Sequence, residues 1–424
     1  MAIQLPVFNE PNVIARLIDA ATAIDYDGPL TIQVLDDSTD ETTQLIDQHP
    51  MRDRIQHIRR TSRDGFKAGA LAHGMTVSDA ELFAVFDADF VPPRDFLHRT
   101  VPHFANESVG MVQARWTHLN RDESLLTRVQ AIFLDAHFAI ESAARHLSGR
   151  FFNFNGTAGV WRRDAIVDAG GWSAATLTED LDLSYRAQLA GWEFVFLPDV
   201  EVPAELPSAL SGFQEQQHRW AKGSIQTARK LLPRIIRSDA EPRVKSEAFF
   251  HLTNNTAYLL TVIVALLMVP AIVIRQRLGM TWTMILDAIL FAASTGSVLL
   301  FYIEGQRFAR HAPPSLRELM AVLPVGIGMS ARNAAAVLEG AFQRGGTFRR
   351  TPKQGDTTRK LFERAPRIPI AEIVLATFFL TAAVGFVMAR QWISLPFLSL
   401  FLGGYLYIVF AVLRERLTYV KTSN

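Results

Sequence analysis

Carboxylates recur in three short motifs in the first half of this chain: Asp36-Asp37-Ser38, Asp87-Ala88-Asp89 and Thr178-Glu179-Asp180. A fourth motif, Gln216-Gln217-His218-Arg219-Trp220, adds amides, a guanidinium and an indole. The two aspartates at 87 and 89 offer hard oxygen ligands to Mg²⁺ or Mn²⁺, or else, taken alone, mark a polar strand end at a turn. Such an ion also binds phosphates and acts as a Lewis acid on a leaving group. Asp180 precedes the helical pattern Leu181–Leu189. It is the candidate general base, or else an acid favoured at a helix N-terminus by the dipole. On a helix, Gln216, Arg219 and Trp220 share one face. Arg219 can fork onto a diphosphate, and Trp220 offers a plate for a sugar ring. Sugar transfer from a nucleotide needs a neutralised leaving group, a deprotonated hydroxyl and alignment of the two. These motifs contain groups for each.

Other residues are weaker signals alone. A carboxylate at Asp36 or Asp37 can accept hydrogen bonds from a base or ribose, while Asp37, Ser38 or Asp40 can equally cap a following helix. Lys67, in Gly65-Phe66-Lys67-Ala68-Gly69, is a cation among glycines and can approach phosphate or simply face solvent. The segment Phe151–Gly159 mixes aromatic plates, amides and glycines, which suits either a carbohydrate acceptor or a buried turn. The eleven histidines show no metal-binding spacing and are read as structural.

Alternating strand-like and helix-like runs must position these groups. Ile3–Val7, Leu30–Leu35 and Leu82–Phe86 read as strands, and Glu10–Ala23 and Asp40–Gln48 as helices. Carboxylates then fall just past the C-terminal ends of strands, the edge where open α/β sheets bind ligands. Residues 1–235 form the expected α/β catalytic domain and residues 236–424 an α-helical membrane region. The stretch 213–237 interleaves apolar and basic residues, as in a helix lying on an anionic membrane surface.

Spans of about 20 apolar residues cross a bilayer. Residues 256–274, 284–303, 370–389 and 394–413 qualify. The stretch 319–342 carries Arg332, Asn333 and Glu339 and is read as an interfacial helix. The loop 344–367 is strongly basic, so the positive-inside rule places it in the cytoplasm with the catalytic domain, although Arg275 and Arg277 fall in the short loop assigned to the other side. This describes a multi-pass integral membrane protein, in the inner or plasma membrane if bacterial. With no cysteine in 424 residues, disulfides and thiolate metal sites are excluded. The formal net charge of +1 gives no pointer to nucleic acid, and none is expected as a partner.

The stretches IQVLDDSTD, KAGAL, FDADF, VQARW, FNGTAGVWR, GGW, TEDLDL and QQHRWAKG, in this order, resemble the processive inverting glycosyltransferases of family 2. The resemblance is to the cellulose synthase superfamily, in particular its cellulose synthase-like mannan and glucan synthases. It covers nearly all of residues 1–235 and, more loosely, the membrane half. It implies a GT-A (Rossmann-like) fold on the cytoplasmic face. It further implies that Glu10, Asp36 and Asp37 contact the nucleoside, with Lys67 near the diphosphate. Asp87 and Asp89 would hold metal and diphosphate, Asp180 would be the base, and Gln216, Arg219 and Trp220 would grip the diphosphate and acceptor end. Asn155, Gly156 and Thr157 resemble the acceptor loop, Glu179 is placed on the acceptor side with Trp220, and the 319–342 helix with its RTPK loop resembles the interfacial helix and gating loop. The family usually carries a membrane helix before the catalytic domain, whereas strand one here starts within five residues of Met1; the expectation is either a missing N-terminal segment or a wrongly assigned start. The implied reaction adds hexose from UDP-glucose or GDP-mannose to a growing β-linked, β-1,4 glycan. The alternative is single addition to a diacylglycerol or polyprenyl lipid.

Overall fold

Short apolar runs with few polar breaks suit strands buried on both faces. The computed structural model, which describes residues 1–280, 282–343, 345, 346, 353, 355 and 365–423, bears this out. In chain order come β1 (Ala2–Val7), α1 (Ile14–Thr22), β2 (Thr31–Asp36), α2 (Thr42–Asp47), β3 (Gln56–Arg59), α3 (Phe66–Thr76) and β4 (Leu82–Val85). Next are α4 (Phe96–Thr100), β5 (Val109–His118), α5 (Leu125–Ala136), α6 (Ala143–Leu147), β6 (Gly159–Arg162), α7 (Arg163–Asp168), α8 (Glu179–Leu189) and β7 (Glu193–Ala204). The sheet has seven strands in the order β3-β2-β1-β4-β6-β5-β7. The first four are parallel, and β6 runs antiparallel to both β4 and β5.

Side chains alternate between the faces. Ile3, Leu5 and Val7 join Ile14, Leu17 and Ile18 of α1 in one core; Ala2, Phe83 and Val85 join Leu71 and Trp161 in the other. The one polar pair inside β1 and β2 is matched internally. Gln4 Nε2 donates to Gln33 Oε1 at 3.1 Å, and Gln33 Nε2 donates to the Gly74 carbonyl of α3. Strand order reverses between β1 and β4, which opens a crevice at their carboxyl ends. The first helix starts at Ile14 rather than at Glu10, because Pro11 disfavours the helical region for the residue before it. Glu10 is thereby left on the β1 loop at that crevice.

The second half is helical: α9 (Leu210–Arg237), α10 (Pro242–Thr253), α11 (Thr256–Arg277), α12 (Thr283–Phe308), α13 (Leu316–Phe342), α14 (Ile370–Met388) and α15 (Leu395–Ser423). Among the described residues, five helices are long and apolar enough to cross a membrane, α11 to α15. Leu260, Leu267, Ile289, Leu300, Val374 and Phe410 on them are exposed, a lipid-facing surface expected of an integral membrane protein. The apolar positions of α9 pack mostly on protein. Leu210 and Phe213 meet Val322, Val325 and Met329 of α13, and Leu231 and Ile235 meet Ala248 and Leu252 of α10. Arg275, assigned by charge to a short loop, lies in the last turn of α11 and pairs with Asp287 of α12. Of the basic loop 344–367, only residues 345, 346, 353, 355 and 365–367 are among the described residues; the rest of it, with most of the RTPK stretch, lies outside them.

Candidate active site

The crevice at the β1–β4 carboxyl ends is a cleft of about 170 Å³. The loop after β1 brings Phe8 and Glu10, the end of β2 brings Asp37, and the loop after β4 brings Asp87 and Asp89. Lys67 comes from the first turn of α3, Glu179 and Asp180 from the first turn of α8, and Gln216, Arg219 and Trp220 from α9. Asn155 and Gly156 close one side. Residues spread over more than 200 positions therefore meet in one place.

Charge pairing orders the cleft. Lys67 Nζ donates to Asp87 Oδ1 at 2.5 Å and to the Gly156 carbonyl at 2.7 Å. Burial pulls the Lys67 pKa down, but Asp87, Glu179 and Asp180 outweigh it and hold the ammonium above its ordinary value. Arg60 forks onto Asp37, with Nε to Oδ1 at 2.7 Å and Nη2 to Oδ2 at 2.6 Å. That geometry fixes the Asp37 carboxylate in a single orientation. Arg63 lies over the Phe8 ring, its guanidinium carbon 3.2 Å from the centroid.

Asp180 sits where an ionised carboxylate is costly. Burial, and after it the charge of Glu179, raise its pKa from 3.8 to about 7, while Lys67 pulls the other way. Its Oδ1 accepts from the Leu181 amide at 2.8 Å. Gly156 has φ +84°, and a Cβ there would stand 2.9 Å from Asp180 Oδ2. Glycine is therefore required at this position by conformation and by space. The Thr178-Glu179-Asp180 turn is seated on α9: Leu177 N donates to Gln226 Oε1, and the Thr178 and Thr227 hydroxyls lie 3.2 Å apart. Gly223 makes that approach possible, since a Cβ would meet Thr178 Cγ2 at 2.5 Å. Burial lowers the Arg219 pKa, opposed by Glu179, Asp87, Asp180 and Asp89.

Two candidates stand behind the cleft rather than on its wall. Asp36 is 1% exposed and is bound by the Ser38 amide, the Thr43 hydroxyl and His57 Nε2. Burial opposes its ionisation, yet those hydrogen bonds bring its pKa down to about 2. Thr157 is fully buried, and its hydroxyl accepts from the Asp87 amide at 2.9 Å. Other residues at the cleft lie outside the candidate site residues, although Lys353 ends the RTPK stretch and Trp116 the VQARW stretch. Lys353 donates to Asp89 Oδ2 at 2.6 Å and to the Glu205 carbonyl at 3.2 Å, and Asn12 Nδ2 holds the Lys353 carbonyl. Trp116 and Arg63 also line the wall.

The residues present fit a divalent ion. Asp87 and Asp89 each carry a lysine ammonium against one oxygen, so the pair is built to face positive charge. Among the described residues no group of three or more His, Cys, Asp or Glu side chains gathers as a closed cage. Two carboxylates suit Mg²⁺ or Mn²⁺, which complete their shell with phosphate oxygens and water.

A second cavity of about 690 Å³ lies on the other side of Asp180, which lines both spaces. Trp116, Asn155, Asp180, Gln216 and Trp220 line both. Its far walls are Tyr258 and Thr261 of α11, Val298 and Tyr302 of α12, and Ile327 of α13.

Residues 1–223 match the family described as "Glycosyltransferase like family 2", and the chain belongs to that family. It is 41% identical over 293 residues to Glucomannan 4-beta-mannosyltransferase 1 of Cyamopsis tetragonoloba, a match covering 66% of this chain and 56% of that protein. It is 42% identical over 284 residues to the protein of the same name from Oryza sativa subsp. japonica, covering 63% of this chain and 54% of that one. The chain thus spans about half the length of these relatives. A solved structure, mannosyltransferase PcManGT from Pyrobaculum calidifontis in complex with GDP-Man and Mn²⁺, aligns with TM-score 0.50 at 22% identity. That alignment covers 80% of this chain and 86% of the other, and the likeness is one of fold, the GT-A fold.

Proposed function

We propose, taking membership of glycosyltransferase family 2 as the premise, that this protein is a membrane-bound, inverting hexosyltransferase that extends a β-linked glycan. The observation that carries the reading is the shared wall: Asp180, with Trp116, Asn155, Gln216 and Trp220, lines both the cleft with the paired carboxylates and a large cavity bordered by α11, α12 and α13. A nucleotide-sugar site and a glycan path would then meet at Asp180. The names of the relatives favour mannose as the transferred sugar and a β-1,4 linkage. The donor is accordingly GDP-mannose, with UDP-glucose as the competitor to test.

In this reading Asp37, with Glu10 beside it, reads the nucleoside, fixed by the fork from Arg60. Asp87 and Asp89 would hold Mg²⁺ or Mn²⁺, which would supply Lewis-acid stabilisation to the departing diphosphate. Lys67 and Arg219 add fixed positive charge where negative charge develops. Asp180 takes the proton from the acceptor hydroxyl as that oxygen attacks the anomeric carbon from the face opposite the leaving group, which inverts the configuration. A carboxyl whose pKa lies near 7 is matched to that task at neutral pH. Trp220 supports the acceptor sugar, and Asn155, Gly156 and Glu179 shape its side of the cleft. The catalytic domain faces the cytoplasm, and the 319–342 helix, within α13, lies at the interface.

The test is transfer from labelled GDP-mannose and, separately, UDP-glucose in membranes with Mg²⁺ or Mn²⁺, with Asp180→Asn as blank. Label in a high-molecular-weight product that a β-mannanase or β-glucanase digests supports the reading and names the donor. Label confined to the lipid extract overturns it in favour of glycolipid synthesis.

A further inference from the structure

The helix that leads from β5 toward the acceptor side is interrupted. Between α5 and α6, residues His137–Ser142 form a π-helical turn. Such turns carry a residue more per turn than an α-helix, disturb the hydrogen-bond ladder, and are frequent at functional sites. Here the turn presents His137 and Glu141 to the 690 Å³ cavity, while neither lines the smaller cleft that holds Asp87 and Asp89.

The pair is joined and anchored. His137 Nδ1 and Glu141 Oε2 are 2.8 Å apart. His137 Nε2 and Asn155 Oδ1 are 3.3 Å apart, and Asn153 Nδ2 donates to that same Asn155 oxygen at 3.1 Å. Asn155 itself lines both spaces, so the chain of contacts runs from the cleft wall into the cavity. Arg145 stands 3.6 Å from Glu141 Oε2, and its Nε is committed to Glu247 at 2.8 Å. Both recorded ion-pair contacts of Glu141 fall on Oε2. Among the described residues its Oε1 has no recorded hydrogen-bond partner, and the side chain is about one third exposed within the cavity.

A carboxylate held by the His137 ring and the Arg145 guanidinium, with an oxygen to spare, accepts hydrogen bonds and, when ionised, donates none. Sugar hydroxyls are the matching donors. The aromatic rings in the same cavity, Trp220, Tyr258 and Tyr302 among them, supply the plates that sugar faces require.

We infer that Glu141, held in place by His137, is an acceptor-positioning residue: its spare oxygen accepts from a hydroxyl of the acceptor glycan and so sets which hydroxyl reaches Asp180. This rests on the glycan-extending reading above. It assigns work to a histidine that spacing alone marks as structural.

The experiment uses the full chain in detergent with GDP-mannose, Mn²⁺ and a short β-1,4-linked mannan oligosaccharide as added acceptor. Variants Glu141→Ala, Glu141→Gln and His137→Gln are compared with wild type. Glu141→Ala should raise the half-saturating acceptor concentration about tenfold, as loss of one charge-assisted hydrogen bond does. The half-saturating donor concentration and the affinity for GDP should stay unchanged, which also shows that the donor site remains folded. Glu141→Gln should recover part of the acceptor affinity, since its amide oxygen still accepts. Acceptor saturation that is unmoved in all three variants, or donor and acceptor constants that shift together, overturns the inference while leaving the proposed function standing. A wild-type protein that transfers no label to any glycan overturns both.

Discussion

Replacing Asp180 by Asn separates what this carboxyl does for the reaction from what it costs the fold. Burial, and after it Glu179, hold its pKa at about 7 against an ordinary 3.8, with Lys67 opposing. The rate consequence follows from the proton: kcat/KM should fall about tenfold per pH unit below pH 7, because only the ionised form accepts it. Asp180→Asn should cut turnover by roughly 10³-fold, within the 10² to 10⁴ range of a positioned general base, and flatten that pH dependence. The stability consequence has the opposite sign. A carboxyl with a raised folded-state pKa contributes stability that is complete below 3.8 and is lost as pH rises through about 7. The gap is about three pH units, and at about 1.36 kcal/mol each it amounts to ~4 kcal/mol at most. Asparagine keeps the Leu181 amide contact and carries no charge to bury. The variant should therefore melt several degrees above wild type at pH 8.5, with the difference shrinking toward pH 5. Tryptophan fluorescence on heating in detergent, run beside the transfer assay at each pH, measures both. A variant that turns over near the wild-type rate, or that melts below wild type at pH 8.5, would refute the reasoning.

Gly223→Ala should lower turnover more than a tenfold change and lower Tm, because its Cβ would press into Thr178 Cγ2 at 2.5 Å and push the Asp180 turn away from α9. An unchanged kcat would show that the turn adjusts freely. Arg60→Ala should raise the donor KM about tenfold with a smaller effect on kcat, since the fork that orients Asp37 is lost; steady-state kinetics with varied donor decides it. Chelation with EDTA should abolish transfer and Mn²⁺ restore it, and Asp89→Asn should raise the Mn²⁺ concentration needed by about tenfold while leaving GDP binding without metal little changed. Equal Mn²⁺ requirements in variant and wild type would remove Asp89 from the metal site.

How far the sequence carries depends on whether the signal is local. Asp87 and Asp89 are legible because a strand-like run stops just before them, and strand ends are where crevices form. Asp36 and Asp37 look equivalent in the motif, yet one is buried against His57 and the other is on the cleft wall. Period 2 separates them, since adjacent residues at a strand end point to opposite faces. His137 and Glu141 have the i, i+4 spacing of an ordinary helical pair, and the spacing cannot say what they face. That is decided by α11 and α12, more than 100 residues later, whose Tyr258 and Tyr302 wall the cavity. Lys353 reaches Asp89 across 264 positions; the resemblance of the RTPK stretch to a gating loop points at it, whereas the charge of the basic loop does not say which of its cations will do so. The same holds for α9, whose apolar stripe suggests a membrane surface until α13 and α10 take it up. Hydrophobic periodicity specifies that a face must be covered, and only the remainder of the chain specifies by what. The candidate catalytic carboxylates belong to the first kind of information and the proposed acceptor side to the second. The acceptor side is therefore where mutation should change what the enzyme makes, and the carboxylates are where it should change whether the enzyme works at all.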